Sequence, residues 1–395
     1  MGQLCIYLPP FTSDYSGACS ALFDLDCMMI INDASCCTSN YVFYDEPRWQ
    51  DHVRPVLNTS LRSTDAIFGN DEKIVKSACM AAENIDSELV ALIGTPVPAI
   101  TGMDMEGLAS EIEAYTGKKC IGLATDGFGY YDDGIAQAGK ALIDTFTDKK
   151  QVSHTGGLKE KKVNIIGMTP IDYGTNGNDD ALRRFVEGAG HSINSFLFMG
   201  SSLDDIRRLP HADMNIAVSA SGIEIAKYLK KKFGTPYICG FPVGEAEPSK
   251  WFAEICTGMT YSNTVHGEDD DKKRLLIVTD QVLGNAIRDA LLRLGCDLNI
   301  DVASFFGWDR HIAQAGDRHL ESEKEYLQLV SSGRYGAIAA DPLIMRPAHC
   351  KELLKFELPH SAISGKLTWD KIPCYIGAEF EQRMRELVQE LHLSF

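Results

Sequence analysis

The sequence predicts an α/β protein of three Rossmann-like domains, each with a mainly parallel sheet flanked by helices. Short β-branched runs alternate with helical segments from about Ala66 onward, the pattern of parallel strands joined by crossover helices. A chain of 395 residues exceeds one ordinary core. Two stretches without apolar periodicity, Thr147–Lys162 and His266–Lys273, divide it. The expected domains are therefore residues 1–150, 163–266 and 274–395.

In the first domain, strands are expected at Met28–Ile31, Ala66–Phe68, Leu89–Ile93 and Cys120–Ala124. Helices are expected at Glu72–Glu83, Met105–Tyr115 and Gly134–Phe146. The second domain should carry strands near Val163–Gly167, Ser195–Met199, Met214–Ser219 and Tyr237–Gly240. The third opens with a strand at Arg274–Thr279 and a helix at Gln281–Leu294, with a later strand at Tyr335–Ala340. Its last helix, Ala378–His392, places Phe380, Met384, Leu387 and Leu391 on one face.

Composition narrows the function. A net charge of -17 argues against nucleic acid and anionic membrane surfaces, because both need basic patches. Residues Met1–Pro10 lack the basic and long apolar regions of a signal peptide, and no apolar run approaches membrane-spanning length, so a cytoplasmic protein is expected. In a reducing compartment, twelve cysteines read as packing or metal chemistry instead of a disulfide framework. Cys120, Cys239, Cys296 and Cys374 sit in or beside apolar stretches and read as small hydrophobes. No G-x-G-x-x-G follows a first strand, and no P-loop motif occurs, which argues against dinucleotide or ATP binding by this chain.

The candidate chemistry lies in Pro9–Cys19 and Asn32–Tyr41, which combine small residues, turn formers and cysteines. Cys19 is expected at a helix start and Cys37 at the carboxyl end of a strand, where open α/β sheets place ligands. Small neighbours such as Gly17 and Ser35 would let backbone N–H groups approach cluster sulfides. Spacing alone leaves structural thiols as the open alternative.

The run from Tyr15 to Trp49, ending Tyr44-Asp45-Glu46-Pro47-Arg48-Trp49, resembles the cluster-binding region of nitrogenase component 1-like oxidoreductases. That family includes nitrogenase, dark-operative protochlorophyllide reductase and nickel-sirohydrochlorin reductive cyclase. The resemblance continues through Ala66–Gly69, Gly102-Met103-Asp104 and Lys232–Tyr237. It implies cluster ligation by Cys19 and Cys37, with Cys36 as alternate. Four thiolates of a [4Fe–4S] cluster would then come from a homodimer, or from a heterodimer with a related subunit. It also implies an iron-protein-like ATPase as electron donor, and a small-molecule substrate, metallocofactor or tetrapyrrole in the interdomain cleft. Thr95-Pro96 stands where nitrogenase has a third cluster cysteine, and Val218-Ser219 where its catalytic subunit offers one to the iron–molybdenum cofactor. An eight-iron cluster and dinitrogen reduction are therefore not expected.

Asp126 and His360 are the candidate catalytic residues. Asp126 follows a strand end, as do Asp280 and Asp341, and His360 is a candidate proton donor because imidazole titrates near neutrality. The competing readings are a reductase component, a cofactor-assembly scaffold of the same fold, and a cluster-free Rossmann-like binding protein. For Asp126 and His360, a cap or turn role competes with catalysis.

Overall fold

The computed structural model describes residues 5–69, 71–148, 161–257 and 273–395. Most of the two expected dividing stretches lies outside these residues. The described chain forms three all-parallel sheets.

The first sheet comprises β1 (Cys27–Ile31), β2 (Val56–Asn58), β3 (Leu89–Ile93) and β4 (Lys119–Leu123), in the order β2-β1-β3-β4. Its central strands, Cys-Met-Met-Ile-Ile and Leu-Val-Ala-Leu-Ile, are buried throughout, as continuous apolar runs covered on both faces should be. Met28 and Ile30 face α4 (Asp71–Asn84) and α6 (Met105–Thr116), while Met29 and Ile31 face the main core. The helix α6 begins where the Asp104 carboxylate accepts the Gly107 N–H at 2.9 Å, and it ends at Gly117, whose φ of 70° suits glycine.

The opposite face is covered by α1 (Asp14–Leu22) and α7 (Tyr131–Phe146). These helices meet backbone to backbone. A Cβ at Gly17 would overlap the Tyr131 carbonyl, and one at Gly134 would overlap the Asp14 carbonyl. The smallness of Gly17 thus serves helix packing, which corrects the expectation that it opens space beside a cluster.

Three short helices cap the carboxyl edge of this sheet: α2 (Cys36–Asn40), α3 (Ser63–Phe68) and α5 (Pro96–Thr101). The expected strand Ala66–Phe68 is the end of α3, and the edge strand is instead Val56–Asn58.

The second sheet, in the order β6-β5-β7-β8, contains β5 (Lys162–Met168), β6 (Ser192–Phe198), β7 (Met214–Ala217) and β8 (Tyr237–Cys239). Its helices are α8 (Pro170–Tyr173), α9 (Asn178–Gly188), α10 (Leu203–Arg208), α11 (Ala220–Phe233) and α12 (Pro248–Thr257). The third sheet, in the order β11-β10-β9-β12-β13, contains β9 (Arg274–Val278), β10 (Ile300–Ser304), β11 (Arg318–His319), β12 (Tyr335–Ala340) and β13 (Leu354–Glu357). It carries α13 (Gln281–Arg293), α14 (Glu323–Val330), α15 (Ser361–Ser364) and α16 (Ala378–Ser394).

In every sheet the strand order reverses beside the first strand, which creates a switch point between β1 and β3, β5 and β7, and β9 and β12. Loops diverge there and leave room for ligands. Among the described residues, no helix is long and apolar enough to cross a membrane.

Candidate functional site

Cys37 lies on α2, immediately beyond the carboxyl end of β1 and beside the first switch point. The turn before it is strained, because Ser35 adopts φ 107°. Asp33 holds that turn: its Oδ2 accepts the Thr38 N–H at 3.0 Å, and its backbone N–H donates to Thr59 Oγ1 at 3.1 Å. The Cys37 thiol is half-buried, and the Tyr15 hydroxyl is among the groups that act on it. Burial, followed by the Asp33 carboxylate, pushes the thiol up to about 11. Without a bound metal it is protonated at neutral pH, and a metal ion reverses that balance by coordinating the thiolate. Cys36, beside it, is exposed.

Cys19 is placed differently. It sits inside α1, is 0% exposed and belongs to the main core. Burial, then Cys27, Glu46 and Asp45, raises its thiol well above the ordinary range. The two thiols thus differ in setting, Cys19 buried within α1 and Cys37 half-buried at the sheet edge. Among the described residues, no three His, Cys, Asp or Glu side chains are grouped so as to hold a metal ion. Cys37, with Cys36 adjacent, stands at the carboxyl edge of the first sheet.

The motif Asp45-Glu46-Pro47-Arg48-Trp49 locks this loop onto α1. Arg48 donates to both Glu46 oxygens at 2.8 Å, to Asp24 Oδ2 at 2.8 Å and to the Ser20 carbonyl at 2.7 Å. Asp45 Oδ2 accepts from Ser16 at 2.6 Å and Asn40 at 2.7 Å.

The carboxyl edge around Cys37 is strongly apolar on its surface. Ile67 and Phe68 of α3, Ile100 of α5, Phe128 after β4 and Phe43 beside α2 are exposed, Phe68 by 83%. All follow strands of one parallel sheet and therefore emerge at the same edge. Exposed apolar residues scattered singly are ordinary, whereas several concentrated on one edge mark an interaction surface.

The other two switch points meet at the junction of the three sheets. Asp172 follows β5, Ser219 follows β7, Asp280 follows β9 and Asp341 follows β12. Tyr131 donates its hydroxyl to Asp172 Oδ1, and Thr169 Oγ1 donates to Oδ2 at 2.8 Å. Burial, then Asp280, pushes Asp172 well above the carboxylate range. Tyr131, Tyr173, Phe306 and His360 fill the centre of this junction, so its residues do not fit a metallocofactor or tetrapyrrole there.

His360 is 1% exposed and caps α15, its Nδ1 accepting the Ala362 N–H at 3.2 Å. Burial drives its imidazole down to about 3, so it stays neutral and has no imidazolium proton to donate at ordinary pH. Asp126 forms a turn, its Oδ1 accepting from Phe128 N–H at 2.8 Å and Gly129 N–H at 3.3 Å. Sequence reasoning missed Asp172, Tyr131 and Asp132. A signal existed for Asp172, because Thr169-Pro170-Ile171-Asp172 directly after a strand is a helix-start pattern.

Open space begins outside this packed centre. A cavity of about 450 Å3 lies between α7, the start of α11 and the loop at residues 307–309. Asp126 lines it, together with Asp14, Asp132 and Asp133.

Three all-parallel sheets flanked by helices, with loops gathered at switch points, define a Rossmann-like α/β chain. Residues 13–276 match the sequence signature of the family described as nitrogenase component 1 type oxidoreductase. This chain belongs to the nitrogenase component 1 type oxidoreductase family. It is 33% identical over 98 residues to a light-independent protochlorophyllide reductase subunit from Prosthecochloris aestuarii, covering 25% of this chain and 18% of that protein. It is 25% identical over 238 residues to the nitrogenase iron-molybdenum cofactor biosynthesis protein NifE of Clostridium pasteurianum, covering 60% and 45% respectively. These matches span less than half the length of either relative. A solved structure titled nitrogenase Cp1 at pH 6.5 superposes over 100% of this chain and 94% of its own, with a TM-score of 0.67 at 14% identity, and shares the fold.

Proposed function

We propose that this chain is the component 1-like subunit of an ATP-dependent iron–sulfur reductase. In this reading it receives low-potential electrons from an iron-protein-like ATPase and passes them, through a [4Fe–4S] cluster at a subunit interface, to a small-molecule substrate. The supporting observation is that Cys37 lies on the same sheet edge as the exposed apolar side chains. A thiol there is completed by donors from a second component 1-like chain, identical or related.

Cys37 is this chain's ligand in the proposal, with Cys36 as alternate, and Cys19 remains a core residue of α1. The cluster supplies one-electron transfer when bound. Asp33 and Ser35 hold the turn that presents the thiol, and Tyr15 stands near enough to act on its sulfur, where a polar neighbour would tune a bound cluster. Asp126 and His360 act as turn and cap residues. A cofactor-assembly scaffold is the second reading, favoured by the likeness to a cofactor biosynthesis protein over 60% of this chain.

The test is strictly anaerobic purification, with iron and sulfide analysis and dithionite-reduced EPR of the wild type, Cys37→Ala and Cys19→Ala. The expected result is a cluster signal lost in Cys37→Ala and kept in Cys19→Ala. A folded wild type that stays iron-free after cluster reconstitution would overturn the redox reading. Electron uptake from an iron-protein-like ATPase, dependent on ATP, separates the reductase from the scaffold.

A further inference from the structure

Asn176 and Gly177 form the only Asn-Gly step in the sequence, and they lie in the loop between α8 and α9. The Asn176 side chain acts there as a clamp. Its Nδ2 donates to the Trp369 carbonyl at 3.0 Å and to the Ile372 carbonyl at 2.6 Å, which ties this loop of the second sheet to the segment between α15 and α16. Asn178 makes a parallel tie: its Nδ2 donates to the Tyr173 and Pro373 carbonyls at 2.7 and 2.8 Å, and its Oδ1 accepts the Tyr375 N–H at 2.8 Å.

The two asparagines differ in their surroundings. Asn178 is 0% exposed and is followed by Asp179, which is fixed in the helical geometry of α9. Asn176 is exposed, and the residue after it, Gly177, has φ 87°. The Gly177 N–H has no hydrogen-bond partner among the described residues. A backbone nitrogen with no Cβ beside it, on a residue with glycine's conformational freedom, can turn toward the preceding side-chain amide carbon.

We propose that Asn176 is a site of spontaneous deamidation and that its conversion releases the clamp. The Gly177 nitrogen attacks Asn176 Cγ: the N–Cγ bond forms, the Cγ–Nδ2 bond breaks, and Nδ2 leaves as ammonia with the Gly177 proton. Water then opens the succinimide at either carbonyl, which leaves aspartate or isoaspartate at position 176. No oxidant, metal or second protein takes part. Either product replaces the N–H donors with carboxylate oxygens that only accept, set against the carbonyls of Trp369 and Ile372. The loop then loses its hold on residues 369–372, while Asn178 keeps its own bonds to Pro373 and Tyr375. The same clamp sets the pace of the reaction. Its hydrogen bonds hold the amide until the loop opens locally, so conversion is slower in the folded chain than in the unfolded one. This chemistry needs no cluster and applies equally to a reductase and to a scaffold.

The test is ageing of the full chain at physiological temperature in mildly alkaline buffer, followed by peptide mapping that separates asparagine, aspartate and isoaspartate. The urea-unfolded chain is the positive control. Conversion is expected at Asn176 and not at Asn178, and it should be slower in the folded chain than in urea. Trypsin cleavage after Lys371, an exposed residue of the clamped segment, should rise several-fold with the converted fraction. Asn176→Asp should show that rise without ageing, and Asn176→Gln, whose amide cyclises far more slowly, should show no rise with age. An Asn176 that stays intact in the folded chain, whatever the urea control shows, would overturn the modification site. Trypsin rates that stay at the fresh wild-type value in both the converted chain and Asn176→Asp would overturn the release of the clamp.

Discussion

Arg48 is buried with every guanidinium nitrogen engaged, and its carbon centre stands 4.5 Å from the Phe23 ring centroid. Its removal strands Glu46, a fully buried carboxylate, without its bidentate partner. Arg48→Met should therefore lower unfolding free energy by about 3–5 kcal/mol, the cost of breaking a buried pair from one side. Urea titration monitored by circular dichroism measures this, and a loss near zero would mean that Glu46 is neutral or reaches water. Asp132 makes the opposite case, because its native environment disfavours its charge. An unfolded aspartate loses its proton near pH 3.9, whereas folded Asp132 does so at about 7. Between those values the native chain holds more protons than the unfolded one, so this residue's contribution to stability falls as pH rises from about 4 to about 7, then levels off. Asp132→Asn abolishes that slope and should be more stable than wild type at pH 8, by on the order of 4 kcal/mol from a shift of about three units. Denaturant midpoints at pH 5, 6, 7 and 8 supply the test; parallel wild-type and variant profiles would refute it.

At the scale of elements, the sequence disclosed what local pattern encodes and hid what only packing decides. Leu89–Ile93 and Tyr335–Ala340 were legible to the residue because a strand buried on both faces is a continuous apolar run between turn residues. Ala66-Ile67-Phe68 offered the same signal, yet it ends a helix and turns Ile67 and Phe68 to the surface. Its apolar character belongs to an exposed face and not to a core. The true edge strand, Val56–Asn58, is three half-buried residues and carries no such run. The position of Cys37 just beyond a strand end was legible, whereas the burial of Cys19 depends on how α1 lies against β1 and α7, which spacing does not reveal. Gly17 belongs to the same class: its role becomes visible only once the Tyr131 carbonyl is seen against it. Gly17→Ala should push α1 from α7 and destabilise the chain by about 1–3 kcal/mol or more, the range for overpacking. Thermal unfolding is the measurement. An unchanged midpoint would mean that the two helices separate without cost.

At the scale of the whole molecule, the sheets are tied together by segments that cross between them. Residues 6–8 run to the third sheet's helix α14, where the Glu323 carboxylate accepts the N–H groups of Ile6, Tyr7 and Leu8 at 2.8–3.0 Å. Farther along the same segment, the Thr12 N–H donates to the Ala362 carbonyl at 2.8 Å, immediately before α1 begins. A second tie is Glu381 of α16, which accepts the Glu245 N–H at 2.7 Å and pairs with Arg293 of α13 at 3.2 Å. Both ties join helices of the third sheet to segments from elsewhere in the chain, so loosening one should free that segment without dismantling any sheet. Glu323→Ala leaves three backbone donors without their acceptor, and the N-terminal segment loses its anchor. The expected cost is about 1.5–3 kcal/mol, the value of hydrogen bonds to a charged group, confined to the crossing segment. Limited chymotrypsin digestion should then cut near Tyr7 or Phe11 several-fold faster than in wild type, while urea midpoints of the remaining body change little, because local opening and global unfolding are separate processes. Equal cleavage rates would show that the Thr12–Ala362 contact and the Phe11 ring, packed against Phe305 at a centroid distance of 5.1 Å, hold the segment without Glu323.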